Sequence, residues 1–272
     1  MEKRSTSSQS GPVKPLAVIT GTSSGIGYEL ARQFAEHGYD LIIAAENGNI
    51  EEAGKFLRGL GAKVQEVQAD LRQYEEVERL YAVVQAAGPV DALVLNAGIG
   101  LGGPFIDNEL EREFDIINLN IKSVVHLAKR IIGDMAVRNK GKVLLTASIV
   151  SEMPAPFQAV YSASKAFVLN FAESIRSELK DTNITITALM PGATETNFFE
   201  RAHLQDTKIA QTKKDDPAAV ARDGFEALMH GDDKKIAHSI KSKAQGVMGK
   251  LLPDRMNAGM QRGMNEPGSA NR

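Results

Sequence analysis

The chain contains no cysteine and no tryptophan. The first absence removes disulfides, thiolate nucleophiles and cysteine-based metal sites together, and excludes a small secreted domain stapled by disulfides. A dominant charge is also missing, with 32 Lys+Arg against 34 Asp+Glu and a formal net charge of −2. That balance directs the chain neither to nucleic acid nor to an anionic membrane. Apolar runs are short; the longest, such as 41–45 and 143–145, fall far below the length of a membrane span. The five histidines, His37, His126, His203, His230 and His238, show no ligand spacing, so no metal is expected. Residues 1–14 are polar and serine-rich, without the apolar stretch of a secretory signal, and are expected to form a disordered tail. Residues 253–272 carry Asn, Gly, Met and Pro without periodicity, and a loose tail is expected there. With no signal, span or disulfide in view, a cytoplasmic location is expected.

The 272 residues include 43% hydrophobic and 24% charged residues, enough for a sizeable core. Short β-branched runs alternate with longer amphipathic stretches. Strands are expected at 16–20, 40–45, 63–68, 91–96, 142–147, 183–190 and 235–238. Helices are expected at 25–37, 50–60, 75–86, 161–179 and 217–229, with one long helical region at 110–138. The strands read as continuous apolar runs rather than alternating ones, so both their faces are buried. Strand–helix alternation then implies an α/β fold: one doubly wound domain over 15–252, with a parallel sheet of about seven strands flanked by helices. No repeat or linker divides it.

In such a sheet, ligands bind beyond the carboxyl ends of the strands. The first strand runs directly into Thr20-Gly21-Thr22-Ser23-Ser24-Gly25-Ile26-Gly27. Gly21 suits the sharp turn out of the strand, Gly25 lets the backbone approach a pyrophosphate, and Gly27 lets the following helix pack on the sheet. The helix N-terminus then offers free N–H groups to phosphates. The Walker phosphate loop is excluded, because no Gly-Lys-Ser/Thr ends this stretch. Gly21 to Gly25 also spell Gly-x-Ser-x-Gly, a hydrolase elbow with Ser23 as nucleophile and His203, His230 or His238 as partner. Nothing ties those histidines to Ser23, and Gly27 is superfluous for an elbow but expected of a dinucleotide loop.

Tyr161 and Lys165 stand four residues apart at a helix start, on one face. A free phenol has a pKa of about 10, and a neighbouring ammonium favours its phenolate. Ser148, at the end of a strand, offers a hydroxyl to a substrate oxygen.

Taken together, the glycine loop, the Asn96-Ala97-Gly98 triplet after the fourth strand and the Tyr161-x-x-x-Lys165 motif resemble the short-chain dehydrogenase/reductase family. Ser148 lies thirteen positions before Tyr161, the spacing of that family; Asn120 matches its helix-borne catalytic asparagine, and Pro191-Gly192 with Thr196 its segment after the sixth strand. The resemblance spans about 16–238. It implies a Rossmann-type domain that interconverts a carbonyl and a secondary alcohol by hydride transfer with NAD(P). It implies Tyr161 as general acid/base, Lys165 lowering its pKa and holding the nicotinamide ribose, and Ser148 orienting the substrate oxygen. Asn120 would hold a water in a proton relay with Lys165. Cofactor contacts are expected from Gly21, Ser23, Ser24, Gly25, Ile26 and Gly27, then Glu46, Asp70 and Leu71. Asn96, Ala97, Gly98, Tyr161, Lys165, Pro191, Gly192, Thr194 and Thr196 complete the set.

Cofactor choice departs from both family patterns. By spacing, Ala45 falls where an NAD-reading Asp would sit and Glu46 where an NADP-reading Arg would sit. Glu46 would repel a 2′-phosphate, which favours NAD over NADP. The substrate is expected to be a small carbonyl or alcohol in an apolar pocket built from Ile99, Leu101, Phe105, Met153, Pro154, Phe157, Phe198, Phe199 and Leu204, under a lid at 193–214. By resemblance, helices at 110–138 and 161–179 would pair copies into a homodimer or homotetramer. The alternative from another class is a non-catalytic dinucleotide-binding sensor or scaffold. Retention of Asn120, Ser148, Tyr161 and Lys165 speaks against it.

Overall fold

A computed structural model describes residues 13–237 and 254–271. Seven strands form one parallel sheet: β1 (Leu16–Thr20), β2 (Asp40–Ala45), β3 (Val64–Gln68), β4 (Ala92–Leu95), β5 (Gly141–Thr146), β6 (Ile184–Met190) and β7 (Lys234–Ile236). Their spatial order is β3-β2-β1-β4-β5-β6-β7. The order reverses between β1 and β4, and there the chain leaves both strands toward one cleft.

Alternation within each strand divides the core. Val18, Ile42, Leu93, Val143 and Leu145 face the layer of α3 (Tyr74–Ala87), α5 (Ser123–Arg138) and α6 (Ala159–Glu178). Ile19, Leu41, Ile43, Val94 and Leu144 face α1 (Gly25–Glu36), α2 (Asn49–Gly59) and α9 (Pro217–His230). Both faces are therefore apolar and buried, which is why the strands read as unbroken apolar runs.

Three regions depart from the expected elements. The long helical region resolves into α4 (Leu110–Ile117), a π-helical turn at Asn118–Lys122, and α5. The side chain of Asn120 turns inward at this widened turn. The segment after β6 folds into two short helices, α7 (Phe198–Arg201) and α8 (Lys208–Gln211), around the small cluster of Phe199, Ala202 and Leu204. The expectation of a loose C-terminal tail is corrected: Asp254–Asn265 form helix α10, followed by a turn at Ser269–Asn271. That turn is fastened to the segment joining α7 and α8, with Gly268 N–H donating to Asp206 Oδ2 at 2.7 Å and Lys208 N–H to Ser269 Oγ at 2.9 Å. The amphipathic contacts lie at Asn257, Gln261 and Asn265, polar residues that hydropathy periodicity does not register. The N-terminal tail and His238 fall outside the described residues, apart from 13–14.

Candidate active site

The cleft opens where β1 ends. Gly25 has φ +60°, and a Cβ there would come within 2.8 Å of Thr196 Cγ2. A Cβ on Gly27 would fall 2.1 Å from the Gly21 carbonyl oxygen, so only glycine lets α1 begin this close to the loop. Ser24, the residue before α1, has an extended backbone and makes no side-chain cap bond. The first-turn N–H groups of a 12-residue helix thus stay available beside Ser23 and Ile26, which line the cleft. Asn96 holds this geometry. Its Nδ2 donates to Thr20 O at 3.2 Å, and its Oδ1 accepts from the Thr146 hydroxyl at 3.2 Å, joining β1, β4 and β5. Ala97 and Gly98 continue along the wall, and Pro191, Gly192 and Thr194 face them from beyond β6. This loop, free of side chains where a Cβ would collide, fits the pyrophosphate of a dinucleotide.

At the far end the cleft reaches Glu46 after β2, and Asp70 and Leu71 after β3. The sequence reading missed the residue that organises these acids. Arg72 donates to Asp70 Oδ1 at 2.8 Å and to Asp115 Oδ2 at 2.9 Å, and lies 3.7 Å from Glu46 Oε2. Burial alone would raise the Asp70 carboxyl, but the hydrogen bonds and charge of Arg72 hold it below the usual range. Asp70 first, and then Asp115, push the Arg72 guanidinium still higher.

The other end gathers Ser148, Tyr161 and Lys165. Ser148 caps a short 3-10 turn (Ile149–Glu152): its Oγ accepts from Val150 N–H and donates to the Pro191 carbonyl, both at 3.4 Å. Ser151 donates to the Lys165 carbonyl at 2.9 Å, tying this turn to α6. Lys165 is buried; its Nζ donates to the Thr146 carbonyl at 2.9 Å and stands 6.0 Å from the Tyr161 ring centroid. Burial pushes the Lys165 ammonium down to about 8. Burial also raises the Tyr161 phenol to about 12, against the opposing effect of a hydrogen bond with Ser148.

Asn120 stands apart from these three. It is 1% exposed and does not line the cleft. Its Oδ1 accepts from Ile99 N–H at 3.0 Å, while its Nδ2 donates to Ile99 O and Ser164 Oγ, each at 2.9 Å. The amide is committed to the wall behind Gly98, where an added Cβ would meet Asn120 Oδ1 and Lys165 Nζ, both at 3.2 Å.

Of the expected substrate-pocket residues, Ile99, Phe198 and Phe199 line the cleft, and Phe198 packs 5.1 Å from the Tyr161 ring. Phe105 is 60% exposed, and Leu101, Met153 and Leu204 are buried behind the wall. Polar residues take their places: Gln158 before α6, Arg201 ending α7, and Gln261 and Asn265 on α10. Gln158, three positions before Tyr161, was findable as the polar residue entering the Tyr161 helix. The hydrolase alternative finds no support among the described residues: His203 is bonded to Arg112, and no hydrogen bond joins Ser23 to His203 or His230. Among the same residues, no helix is long and apolar enough to cross a membrane.

The family described as short chain dehydrogenase matches residues 15–207. The chain is 33% identical over 215 residues to oxidoreductase UcpA of Salmonella typhimurium, covering 78% of this chain and 79% of that one. It is 36% identical over 206 residues to a putative ketoacyl reductase of Streptomyces coelicolor, covering 73% and 78%. A solved short-chain dehydrogenase from Sphingobium yanoikuyae in complex with NADPH superimposes with a TM-score of 0.77 at 25% identity, over 89% of this chain and 99% of that one. A short-chain dehydrogenase/reductase from Burkholderia phymatum in complex with NAD shares the fold, with a TM-score of 0.75 at 24% identity over 81% and 88%. The chain belongs to the short-chain dehydrogenase family of oxidoreductases.

Proposed function

We propose that the protein interconverts a small ketone and its secondary alcohol, with Tyr161 as general acid/base. The observation that carries this is the meeting of Ser148, Tyr161 and Lys165 at one end of a cleft whose other end fits a dinucleotide. When bound, the dinucleotide supplies or accepts a hydride at the substrate carbon. In reduction, the Tyr161 hydroxyl gives its proton to the carbonyl oxygen while the Ser148 hydroxyl donates a hydrogen bond to that oxygen. The Lys165 ammonium stabilises the phenolate left behind. In oxidation, the same phenolate takes the proton from the alcohol. Asn120 acts as a positioning residue, its amide holding Ile99 and Ser164 in the wall behind Gly98.

The glycine loop, Ala97, Gly98, Pro191, Gly192, Thr194 and Thr196 would hold the dinucleotide, with Asp70 and Leu71 at its adenine. NAD is the better fit: Arg72, which pairs with Glu46 and Asp70 at that end, already serves three acids, and Glu46 stands where a 2′-phosphate would arrive. Exposed Leu110 and Phe114 on α4 and Phe167 on α6 support a homo-oligomer, which light scattering would test.

The test is Tyr161→Phe assayed with a panel of ketones at saturating cofactor. Turnover falls by about 10²–10⁴-fold while cofactor binding persists; unchanged turnover would remove Tyr161 from the mechanism.

A further inference from the structure

The substrate end of the cleft contains more unsatisfied polar groups than a simple ketone would use. Gln158 is only 7% exposed and lines the cleft, yet its carboxamide has no hydrogen-bond partner among the described residues. Its amide is open to the cleft and not sealed inside the protein, so it is available to hydrogen-bond a ligand there. Two further carboxamides reach the same space from α10. Asn265, 1% exposed, donates through Nδ2 to the Pro156 carbonyl at 3.2 Å, which leaves its Oδ1 to the cleft. Gln261 donates to Met153 Sδ at 3.1 Å, a weak acceptor, and keeps its Oε1. At the mouth, Arg201 makes no ion pair among the described residues. Apolar side chains share this lining: Ile99, Phe198, Phe199 and Ile209.

We propose that Gln158, with Gln261 and Asn265, recognises a second oxygen function on the substrate, a carboxamide or carboxylate set away from the reacting carbonyl. The inference rests on the oxidoreductase reading and adds a substrate class to it. The reacting carbonyl meets Ser148 and Tyr161, the apolar body lies against Phe198 and Ile99, and the second group enters the ring of amides. Arg201 sorts the two sources of that oxygen, because a carboxylate gains from its charge and a neutral amide does not. A pocket that hydrogen-bonds a substrate group rejects an analogue lacking it more strongly than an apolar pocket rejects an extra methyl group.

Three near-isosteric probes separate the possibilities: acetoacetamide, acetoacetate and methyl isobutyl ketone. With the cofactor-loaded full chain, kcat/KM is expected to be at least about tenfold higher for one or both oxygen-bearing probes than for the plain ketone. Gln158→Leu, which breaks no internal hydrogen bond, should erase that advantage through KM while leaving the plain ketone within about twofold; Gln261→Leu should erase part of it. Arg201→Gln should weaken acetoacetate alone if the group is anionic, and neither oxygen-bearing probe if it is neutral. Equal kcat/KM for all three probes, or an equal loss on all three in both leucine variants, overturns the proposal. Calorimetry of the same probes against protein loaded with oxidised cofactor keeps the two readings apart. Gln158-dependent binding without turnover overturns the oxidoreductase reading and supports this one. Turnover of the plain ketone alone does the reverse.

Discussion

Lys165 places an ammonium at a largely buried position, and that position has a measurable cost. In the cofactor-free protein its pKa is about 8, against 10.5 for the ordinary side chain. Between those two pH values the unfolded chain binds a proton that the folded chain has released, so stability rises with pH across that window. Tyr161 acts oppositely. Its phenol stays protonated to about 12 in the fold and only to 10.0 outside it, so stability falls above pH 10. Lys165→Met should therefore stabilise the cofactor-free protein at neutral pH, by at most about 3 kcal/mol, with the gain fading toward pH 10.5. Denaturant unfolding at several pH values checks this; a constant or growing difference would contradict it. The high phenol pKa also favours donating a proton over taking one near neutrality. Ketone reduction should accordingly be nearly flat from pH 6 to 8, while alcohol oxidation climbs as the phenolate forms. Tyr161 and Lys165 were legible in the sequence because helical spacing alone places them on one face. Arg72 was not, because its role is set by Asp115 on α4, 43 positions away in sequence.

Secondary elements carry a different kind of constraint. The start of α1 has no room for a methyl group at Gly27, where backbone oxygen already occupies the space. Gly27→Ala should cost about 1–3 kcal/mol through overpacking and weaken dinucleotide binding further, since the loop must shift to relieve it. Thermal melts with and without NAD would show a lower Tm and a smaller shift on adding cofactor; an unchanged shift would contradict this. At the other end of the chain, α10 was invisible to a periodicity argument because its buried positions, Asn257 and Asn265, are polar. It bonds to Met153 and Pro156, and the turn that follows it bonds to Asp206 and Lys208. Ending the chain at Pro253 should therefore leave the sheet folded, lower Tm by only a few degrees and raise KM for oxygen-bearing substrates. Similarly, the break between α4 and α5 could not be read from amphipathic spacing, which continues through the π turn almost unchanged.

The whole molecule is a sheet in which consecutive strands pair everywhere but at the decisive place: β1 pairs with β4, across 74 intervening positions, to form the cleft. Alternation of strands and helices made the parallel class readable, and the motifs located the cleft along the chain. The strand order itself depends on which faces bury best together, and composition does not encode that. Because the dinucleotide binds only the folded arrangement, saturating it at about 100 times its Kd should add about 2.7 kcal/mol. That corresponds to a rise of roughly 5–10 °C in Tm for a domain of this size. The cluster around Arg72 extends this to the molecule's solution behaviour. Three carboxylates, Glu46, Asp70 and Asp115, surround one guanidinium, leaving a local excess of two negative charges on a chain whose total is also −2. Such a field is partly exposed and therefore screened by mobile ions over about 10 Å at 0.1 M ionic strength. Discrimination against NADP should then be a property of the buffer as well as of the protein: the ratio of NADP to NAD dissociation constants narrows as salt is added, and Glu46→Gln narrows it at low salt.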